Sequence, residues 1–498
     1  MKYTVIELNG RYQESGQPSG GFPRTGAASR RVFRFDRFYE LVERILKRKT
    51  PTRVLVIRRE HFSVPAFGAL EEISAALGRL AAAGKELYYY ASEYEAADCV
   101  LAAACSRRIV HPLGTVSFLG VALPGLFFRN LIDTHRIGVT VIRRGRYKSA
   151  ADPFRTERYD EHSRAQYLAL VEGAVGTMRE AVKDVIPPDV LDEMIGGRIL
   201  TAPEARQSGL VQELCPLETL VTRWKEEKKK MREWKPGKLR GACGSGPRVA
   251  VLFFEGSITE GDTRRSPLLG NTLGDRAIIR SIRALRKSRR IKAVVFRVNS
   301  GGGSAIASEN ILRELEALGE KKPLVVSMGP VAGSGGYWIS TTGRRLFALP
   351  TTITGSIGVI TLFFDVSRFL SDHGITADCV KEGGSADLGS ALRPLSEAER
   401  GRIDAVVDHL YRLFLQRVAA FRGMTPEEVD LLGEGRLWLG SAALQAGLVD
   451  ENGGLRDAIE HARSLIGAKS VRLLFRPRVK PALATRLLRD AQGARSDA

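Results

Sequence analysis

A serine in the second half of the chain has the surroundings of a nucleophile. Ser334 lies in the run Ala332–Trp338 (AGSGGYW), whose glycines allow close backbone approach and unusual backbone angles. We expect this run to be a turn that enters a helix, so that the hydroxyl lies at the positive helix end, where developing negative charge is stabilised. A serine in such a turn also commonly serves as a helix N-cap, so the run by itself leaves both interpretations open.

A lysine in the first half of the chain is the candidate base for this serine. Lys148 lies in the run Gly145–Ala150 (GRYKSA), and none of the seven histidines lies in a context that matches a catalytic triad. A lysine amine acts as a base only when it is neutral, which requires its pKa to fall from about 10.4 toward 7. We expect the apolar bulk of Ile142 and Tyr147 to lower this pKa. Like charge from three neighbours should act in the same direction; these are Arg143, Arg144 and Arg146.

The two halves of the chain repeat each other at a constant offset of 238 residues. Val116–Val121 (VSFLGV) aligns with Thr354–Val359 (TGSIGV), and Gly209–Val211 aligns with Gly447–Val449. A chain of 498 residues is also longer than one ordinary hydrophobic core requires. The sequence therefore predicts two units of the same fold.

Each repeat keeps the half of the catalytic pair that the other repeat has lost. At this offset Ser334 aligns with Ala96, and Lys148 aligns with Ala386. One repeat offers a nucleophile and the other a base, and random drift is not expected to produce such complementary loss. We predict that the repeats face each other to form one Ser/Lys site that works through an acyl-enzyme, and that neither half is active alone.

A glycine loop ahead of the serine supplies candidate hydrogen-bond donors. Gly301–Gly303 follows a buried strand predicted at Ile291–Val298, so its amides are expected to point toward the same place as the amide of Gly335. Two such N–H groups would form an oxyanion hole, and loss of one donor typically costs about two to three orders of magnitude in rate. The loop lacks the ending of a P-loop and the spacing of a dinucleotide fingerprint, which argues against a nucleotide site.

Alternation of strands and helices predicts an α/β fold with a largely parallel sheet in each repeat. Arg248–Phe254 is an apolar run typical of a buried strand, and Gly274–Ser288 after it has isoleucines at helical spacing. The first repeat follows the same order from Tyr3–Leu8 onward. We predict four segments: an N-terminal repeat at 1–221, a basic linker at 222–247, a C-terminal repeat at 248–469 and a basic tail at 470–498.

The amount of positive charge and its distribution along the chain indicate which classes of binding partner to expect. The net charge is +20, and the densest basic block, Lys225–Lys238, lies between the repeats. The positive charge is otherwise spread along the chain, which is typical of a solvated surface. Peripheral contact with an anionic membrane is the next hypothesis, and the spread of the charge argues against nucleic acid as a partner.

The remaining composition argues against metal sites, disulfides and membrane spans. The five cysteines form no CxxC motif, and the histidines are not clustered. No window approaches the eighteen or so apolar residues that cross a bilayer, and Met1–Gly10 is typical of a first strand rather than of a secretory signal. We therefore expect a cytoplasmic or peripherally membrane-associated protein.

Taken together, the motifs resemble the signal peptide peptidase A family, also called protease IV, in its long tandem-repeat form. The similar order of segments covers about residues 1–465. The resemblance implies two tandem Clp-protease/crotonase-like repeats of ββα-type units with largely parallel sheets. The matching runs are Arg297–Ser304 (RVNSGGGS), Ala332–Ser340 (AGSGGYWIS), Thr354–Val359 (TGSIGV), and Tyr147–Ala150 (YKSA) followed by Asp152–Phe154 (DPF).

The resemblance also implies a function. It implies a serine endopeptidase that degrades signal peptides or other apolar peptides, needs no cofactor or metal, and assembles as a homo-oligomer such as a tetramer. Carried over by position, the roles are Ser334 as nucleophile, Lys148 as general base, Gly302 and Gly335 as oxyanion donors, and Ser356 as the hydroxyl that orients the lysine amine.

The sequence departs from the family pattern at two places. Gly301 stands where the family usually has proline, and the long members generally begin with a membrane anchor, which we do not recognise here. Short members take their lysine from the repeat that carries the serine. That position is Ala386 in this chain, and the nearby Lys381 is expected to lie too far from the serine.

Two other function classes remain as alternatives. A crotonase-type acyl-CoA enzyme shares the glycine-based oxyanion chemistry but needs no nucleophilic serine. A non-catalytic basic scaffold would bind lipid head groups or nucleic acid through its positive charge.

Overall fold

The computed structural model describes residues 2–16, 32–49, 52–227, 232–237, 239, 241–266 and 270–476. These residues form two α/β repeats that follow each other along the chain, as the internal duplication predicts. Among the residues described, no helix is both long enough and apolar enough to span a bilayer.

The first repeat alternates strands and helices in the predicted order. Its described elements in chain order are β1 (Lys2–Glu7), β2 (Gly10–Gln13), β3 (Val32–Arg34), α1 (Phe35–Leu46), β4 (Arg53–Arg58), β5 (Phe62–Ser63), α2 (Gly68–Ala82), β6 (Glu86–Ala91), α3 (Ala96–Ala103), β7 (Arg107–Val110), β8 (Thr115–Val116), α4 (Arg129–Thr134), β9 (Gly138–Arg144), α5 (Asp152–Arg155), α6 (Glu161–Val182), α7 (Pro188–Ile195), β10 (Leu200–Thr201), α8 (Ala202–Gln207), β11 (Glu213–Leu214), α9 (Leu217–Glu227) and β12 (Arg232–Glu233).

The second repeat follows the same plan, and like the first it has a small three-stranded sheet near its start. Its described elements are β13 (Ala242–Gly244), β14 (Arg248–Glu255), β15 (Ser257–Thr259), β16 (Arg264–Ser266), β17 (Gly270–Gly274), α10 (Asp275–Lys287), β18 (Ile291–Ser300), α11 (Ala305–Gly319), β19 (Leu324–Gly333), α12 (Gly335–Trp338), β20 (Leu346–Ala348), β21 (Ile353–Gly355), β22 (Val359–Asp365), α13 (Ser367–Asp372), α14 (Glu397–Arg422), α15 (Pro426–Leu432), β23 (Leu437–Leu439), α16 (Gly440–Gln445), β24 (Glu451–Asn452), α17 (Leu455–Leu465) and β25 (Arg472–Arg476).

The main sheets of the two repeats have the same strand order. The first sheet runs β11-β7-β6-β4-β1-β12, and the second contains the equivalent order β24-β20-β19-β18-β14-β25. All neighbouring strands in these two series are parallel. The predicted α/β class with largely parallel sheets and tandem repeats is therefore confirmed.

The second sheet is buried on both faces, as its composition requires. The side chains of Val249–Phe254 on β14 are at most 2% exposed. Such continuous apolar runs are typical of parallel strands that helices cover on both sides. One hydrophobic cluster joins the repeats, since it contains Phe38 and Leu70 of the first repeat together with Phe253 and Phe475 of the second.

The segments expected to be a linker and a tail both contribute strands. β12 lies within 222–247 and pairs with β1, and β25 lies within 470–498 and pairs with β14. The last strand of each repeat thus returns beside its first strand, so each sheet extends past the predicted boundary. These strands are short and begin with basic residues, which explains why the composition suggested solvated chain. Residues 228–231 and 477–498 lie outside the described residues.

A second contact between the repeats is a pair of antiparallel strands. β9 of the first repeat pairs with β22 of the second over seven residue pairs, from Val359 opposite Arg144 to Asp365 opposite Gly138. β9 is followed closely by Lys148, and β22 is preceded closely by Ser356. This two-stranded ribbon therefore brings the lysine segment to the serine repeat.

A buried arginine forms a third contact between the repeats. Arg297 on β18 is fully buried, and its guanidinium donates to Glu14 Oε1 at 2.9 Å and forms an ion pair with Glu72, both carboxylates coming from the first repeat. It also donates to Ser327 Oγ and to the Met328 carbonyl oxygen, each at 2.9 Å. Burial of such charges is tolerated only when they are paired and hydrogen-bonded.

We predict that Arg297→Met destabilises the protein strongly, because it leaves the carboxylates of Glu14 and Glu72 buried without their cation. Loss of one partner of a buried ion pair typically costs about 3–5 kcal/mol. Urea unfolding should show a clear fall in midpoint for this variant. Arg280→Met is the matched control, since Arg280 forms a solvent-exposed pair with Asp262. Equal midpoints for the two variants would show that the buried cluster contributes nothing to stability.

Candidate active site

Ser334 occupies a strained turn between β19 and α12. It is the N-cap of α12 and has φ of 54° and ψ of −122°. A non-glycine residue in such a region costs on the order of 1–3 kcal/mol, and it persists only where its surroundings fix it. Its N–H donates to the Gly355 carbonyl oxygen at 2.8 Å, so the end of β21 holds the turn. The predicted turn at a helix entry is confirmed.

Lys148 reaches this serine from the first repeat. The lysine is 5% exposed, and its Nζ lies 2.9 Å from Ser334 Oγ. The same nitrogen lies 2.9 Å from Ser356 Oγ and 2.7 Å from the Ser356 carbonyl oxygen. The structure thus brings together the serine, the lysine and the second serine that the sequence analysis singled out.

Burial is the physical cause of the lowered basicity of Lys148. Removal of the ammonium from water lowers the pKa of Lys148 from 10.5 to about 7. The prediction that like charge also lowers the pKa of Lys148 is wrong, because each neighbouring arginine has an acidic partner that offsets its charge. These pairs are Arg143 with Asp152 at 3.6 Å, Arg144 with Asp404 at 2.7 Å and with Asp408 at 3.1 Å, and Arg146 with Glu434 at 2.6 Å.

Two glycines allow the lysine segment to approach the second repeat closely. Gly145 has φ of 99°, and a Cβ there would lie 2.3 Å from the carbonyl carbon of Glu434. Gly435 has φ of 77°, and a Cβ there would lie 2.7 Å from the backbone nitrogen of Lys148. Tyr147 N–H donates to the Glu434 carbonyl oxygen at 2.9 Å across this contact. Side chains at either glycine would separate the two segments.

Arg436 supports the segment that carries Ser356. Its carbonyl oxygen accepts from Ser356 N–H at 2.7 Å, and its guanidinium lies over the rings of Trp438 at 4.5 Å and Tyr147 at 5.4 Å. A cation between two aromatic rings is held by their negative faces. The sequence did carry a signal for this segment, because the pair Gly435-Arg436 aligns with Gly197-Arg198 at the repeat offset.

In the glycine loop, the residue that lines the cavity beside Ser334 is Gly303, one position after the predicted Gly302. The N–H of Gly302, the predicted donor, points to Ser300 Oγ at 3.1 Å and is buried. Gly303 and Gly335 instead line the cavity beside Ser334, and within the described part of the chain neither N–H has a hydrogen-bond acceptor. The shift arises because Gly302 packs against the turn, where a Cβ would lie 2.6 Å from Gly335 N. Repeat alignment gives no signal for it, since the first repeat has no glycine here.

An apolar cavity of about 350 Å³ opens beside the Ser334 hydroxyl and the Lys148 amine. Its walls come from the glycine loop, α12, β22 and α14. The apolar lining includes Trp338, Val359, Ile360, Ile403, Val407 and Phe414. Such a cavity suits an apolar side chain better than a charged one.

Comparison with known proteins extends over most of the chain. Residues 79–231 and 316–469 match the model of Peptidase family S49. The chain is 31% identical to Protease 4 of Haemophilus influenzae over 83% of this chain and 70% of that protein. It is 30% identical to Protease 4 of Salmonella typhi over 90% of this chain and 76% of that protein. It is 27% identical to the chloroplastic serine protease SPPA of Arabidopsis thaliana over 80% of this chain and 61% of that protein.

The two matched segments fall one in each repeat, as a duplicated family domain requires. The relatives are similar across both repeats rather than across one of them. The chain therefore belongs to peptidase family S49, and it is a serine peptidase.

Proposed function

We propose that Ser334 and Lys148 form the catalytic dyad of this serine peptidase. The supporting observation is the 2.9 Å contact between Lys148 Nζ and Ser334 Oγ, made by a buried amine whose pKa is about 7. The neutral amine takes the serine proton as Oγ attacks the scissile carbonyl. The resulting ammonium gives that proton to the leaving amine, and an ester on Ser334 remains. Water, activated by the same amine, hydrolyses the ester and restores both groups.

Ser356 orients the amine in this proposal. A neutral amine has two N–H donors and one lone pair. Donation to the Ser356 carbonyl oxygen at 2.7 Å and to Ser356 Oγ at 2.9 Å uses both donors. The lone pair is then left to accept the proton of Ser334. Ser356 itself has φ of 53°, so a second strained serine supports the lysine.

We assign the oxyanion site to the N–H groups of Gly335 and Gly303. Gly335 opens α12, so its N–H lies at the positive end of that helix. Both residues line the cavity beside Ser334. Gly302 is replaced in this role because its N–H is already engaged by Ser300 Oγ. A pair of such donors stabilises the tetrahedral oxyanion more than the ground-state carbonyl.

The proposed substrates are extended apolar peptides, with signal peptides as the class that the sequence resemblance suggests. The apolar cavity beside Ser334 supports this proposal, because it would bury an apolar side chain next to the scissile bond. The net charge of +20 supports peripheral attraction to anionic membranes, where such peptides are found. The same charge gives no comparable support for nucleic acid, since it is spread along the chain.

We also propose a homo-oligomer in which the pairing between repeats continues between chains. At the repeat offset, the counterparts of β22 and β9 are residues 121–127 and 376–382. Both segments lack a strand partner in the single chain, and they expose Leu126 by 76% and Val380 by 100%. The register that sets Leu362 opposite Val141 sets Pro124 of one chain opposite Cys379 of another. A head-to-tail contact gives a ring when its rotation closes, and we propose such a closed ring, for example a tetramer.

Substitution of the dyad provides the first test. We expect Ser334→Ala to abolish hydrolysis of an apolar peptide library and Lys148→Met to lower kcat by about 10²–10⁴-fold, the range for loss of a general base. Lys183→Met is the matched control, since Lys183 is exposed and pairs with Glu180 on the surface. Full activity of Lys148→Met, or equal losses in Lys148→Met and Lys183→Met, would refute the assignment of the base.

The pH dependence of the wild-type enzyme provides the second test. Because burial lowers the pKa of Lys148 to about 7, the amine is protonated and inactive below that pH and neutral above it. We expect kcat/KM to rise about tenfold per pH unit on the acid side and to level off above about pH 7. Activity that rises only near pH 10 would contradict a buried lysine base.

Disulfide trapping tests the contact between chains. Pro124→Cys should form intermolecular disulfides with the exposed Cys379 under mild oxidation, because opposed Cα atoms in antiparallel strands lie about 4.5–5.5 Å apart. The other four cysteines are buried. Leu113→Cys is the control, since Leu113 is 88% exposed but lies outside the segment. The proposed register fails if Leu113→Cys crosslinks equally well or if the crosslinks persist in Pro124→Cys with Cys379→Ser.

A further inference from the structure

We infer that Gln166 is a positioning residue that locks the lysine segment of the first repeat onto the serine-bearing repeat. This inference rests on the proposed dyad. Gln166 lies on α6 and is 1% exposed. Its side chain touches neither Ser334 Oγ nor Lys148 Nζ by hydrogen bond, so any effect on catalysis passes through the neighbours of the dyad.

The side-chain amide of Gln166 forms hydrogen bonds with both residues that flank Lys148. Nε2 donates to the Tyr147 carbonyl oxygen at 3.0 Å and to Ser149 Oγ at 3.1 Å. Both contacts lie on the lysine segment, one on each side of the base. The lysine segment is therefore held on both sides of the base, through the backbone at Tyr147 and through the side chain at Ser149.

The other end of the same amide holds the second repeat. Oε1 accepts from Leu437 N–H at 3.1 Å, and Leu437 opens β23. β23 pairs with β21 so that Leu437 lies opposite Gly355, the residue before Ser356. One side chain thus connects the neighbours of Lys148 to the neighbour of the serine that orients its amine.

Glutamine is the residue type that this position requires. The carbonyl oxygen of Tyr147 needs a donor, and the N–H of Leu437 needs an acceptor, so one planar amide satisfies both in a single orientation. A carboxylate would place oxygen against oxygen at Tyr147, and an aliphatic side chain would leave both partly buried backbone groups without these hydrogen bonds.

The position has a different role in the other repeat. At the repeat offset Gln166 corresponds to Asp404 on α14, whose half-exposed carboxylate pairs with Arg144 on β9. A residue that only maintained the shared fold would be expected to recur at both positions. The buried amide occurs in the repeat that supplies the lysine. We therefore relate this amide to the dyad rather than to the fold that both repeats share.

The test is Gln166→Met, which keeps the length of the side chain and removes its donor and acceptor. We expect kcat to fall about 10–100-fold, because small misplacements of a reacting group have costs of this order, while KM changes less than about threefold. The acid limb of the pH profile should move to higher pH as Lys148 becomes less well enclosed. Ser149→Ala removes one of the two contacts to Nε2 and should produce a smaller change in the same direction.

Tyr94→Phe is the control for a purely structural effect. It removes a buried hydrogen bond to the Ile109 carbonyl oxygen within the first repeat, so it should lower the thermal unfolding midpoint without moving the pH limb. The inference is overturned if Gln166→Met keeps the wild-type kcat and pH limb, or if it alters kinetics only as Tyr94→Phe does. If Gln166→Met does not fold, wild-type kinetics in Ser149→Ala overturn it.

The measurements give a different pattern if Ser334 and Lys148 are not the catalytic pair. In that case Lys148→Met itself remains active, whatever Gln166→Met does. If Lys148→Met is inactive and Gln166→Met behaves as wild type, the dyad stands and the positioning role alone is refuted.

Discussion

The antiparallel pairing of β9 with β22 is the contact on which the candidate site depends. The serine and the lysine are 186 positions apart and belong to different repeats, so no local element can align them. Seven opposed residue pairs fix the register of the ribbon, and the lysine segment continues directly from one end of it. A shift of one residue would turn each side chain to the opposite face and carry the lysine past the serine. The buried pairs of Arg297 with Glu14 and Glu72 hold the repeats together in the same relative position.

Burial then gives the lysine its chemical character. An exposed lysine stays protonated at neutral pH, whereas the enclosed amine of Lys148 has a pKa of about 7. Enclosure depends on glycines at positions 145 and 435, where a side chain would collide with the opposite segment. The arginines beside Lys148 do not supply the effect, because carboxylates of both repeats pair with them. The geometry that brings the Lys148 amine to the Ser334 hydroxyl is therefore also what favours the neutral form of that amine.

The duplicated architecture accounts for a Ser/Lys pair whose two members lie in different repeats. Each repeat keeps the same sheet order, yet Ala96 and Ala386 occupy the positions equivalent to the serine and the lysine. The chain belongs to a family of serine peptidases, so the two alternative functions, an acyl-CoA enzyme and a non-catalytic scaffold, are set aside. Ser334 and Ser356, two serines with positive φ, both lie in the second repeat, where the adjacent strands β19 and β21 can hold both turns.

The sequence by itself determined the α/β class, the duplication, and the identity of Ser334 and Lys148 as candidates, because these follow from periodicity and from aligned motifs. The role of Ser356 came from the family resemblance alone. The sequence did not determine where each repeat ends, since β12 consists of Arg232 and Glu233 and β25 is a short apolar run with an arginine at each end. Only the tertiary structure decided that Gly303 rather than Gly302 lines the cavity, that the arginines are neutralised, and that Gln166 bridges the repeats. These features depend on contacts between residues far apart in the chain, and neither periodicity nor local spacing encodes such contacts.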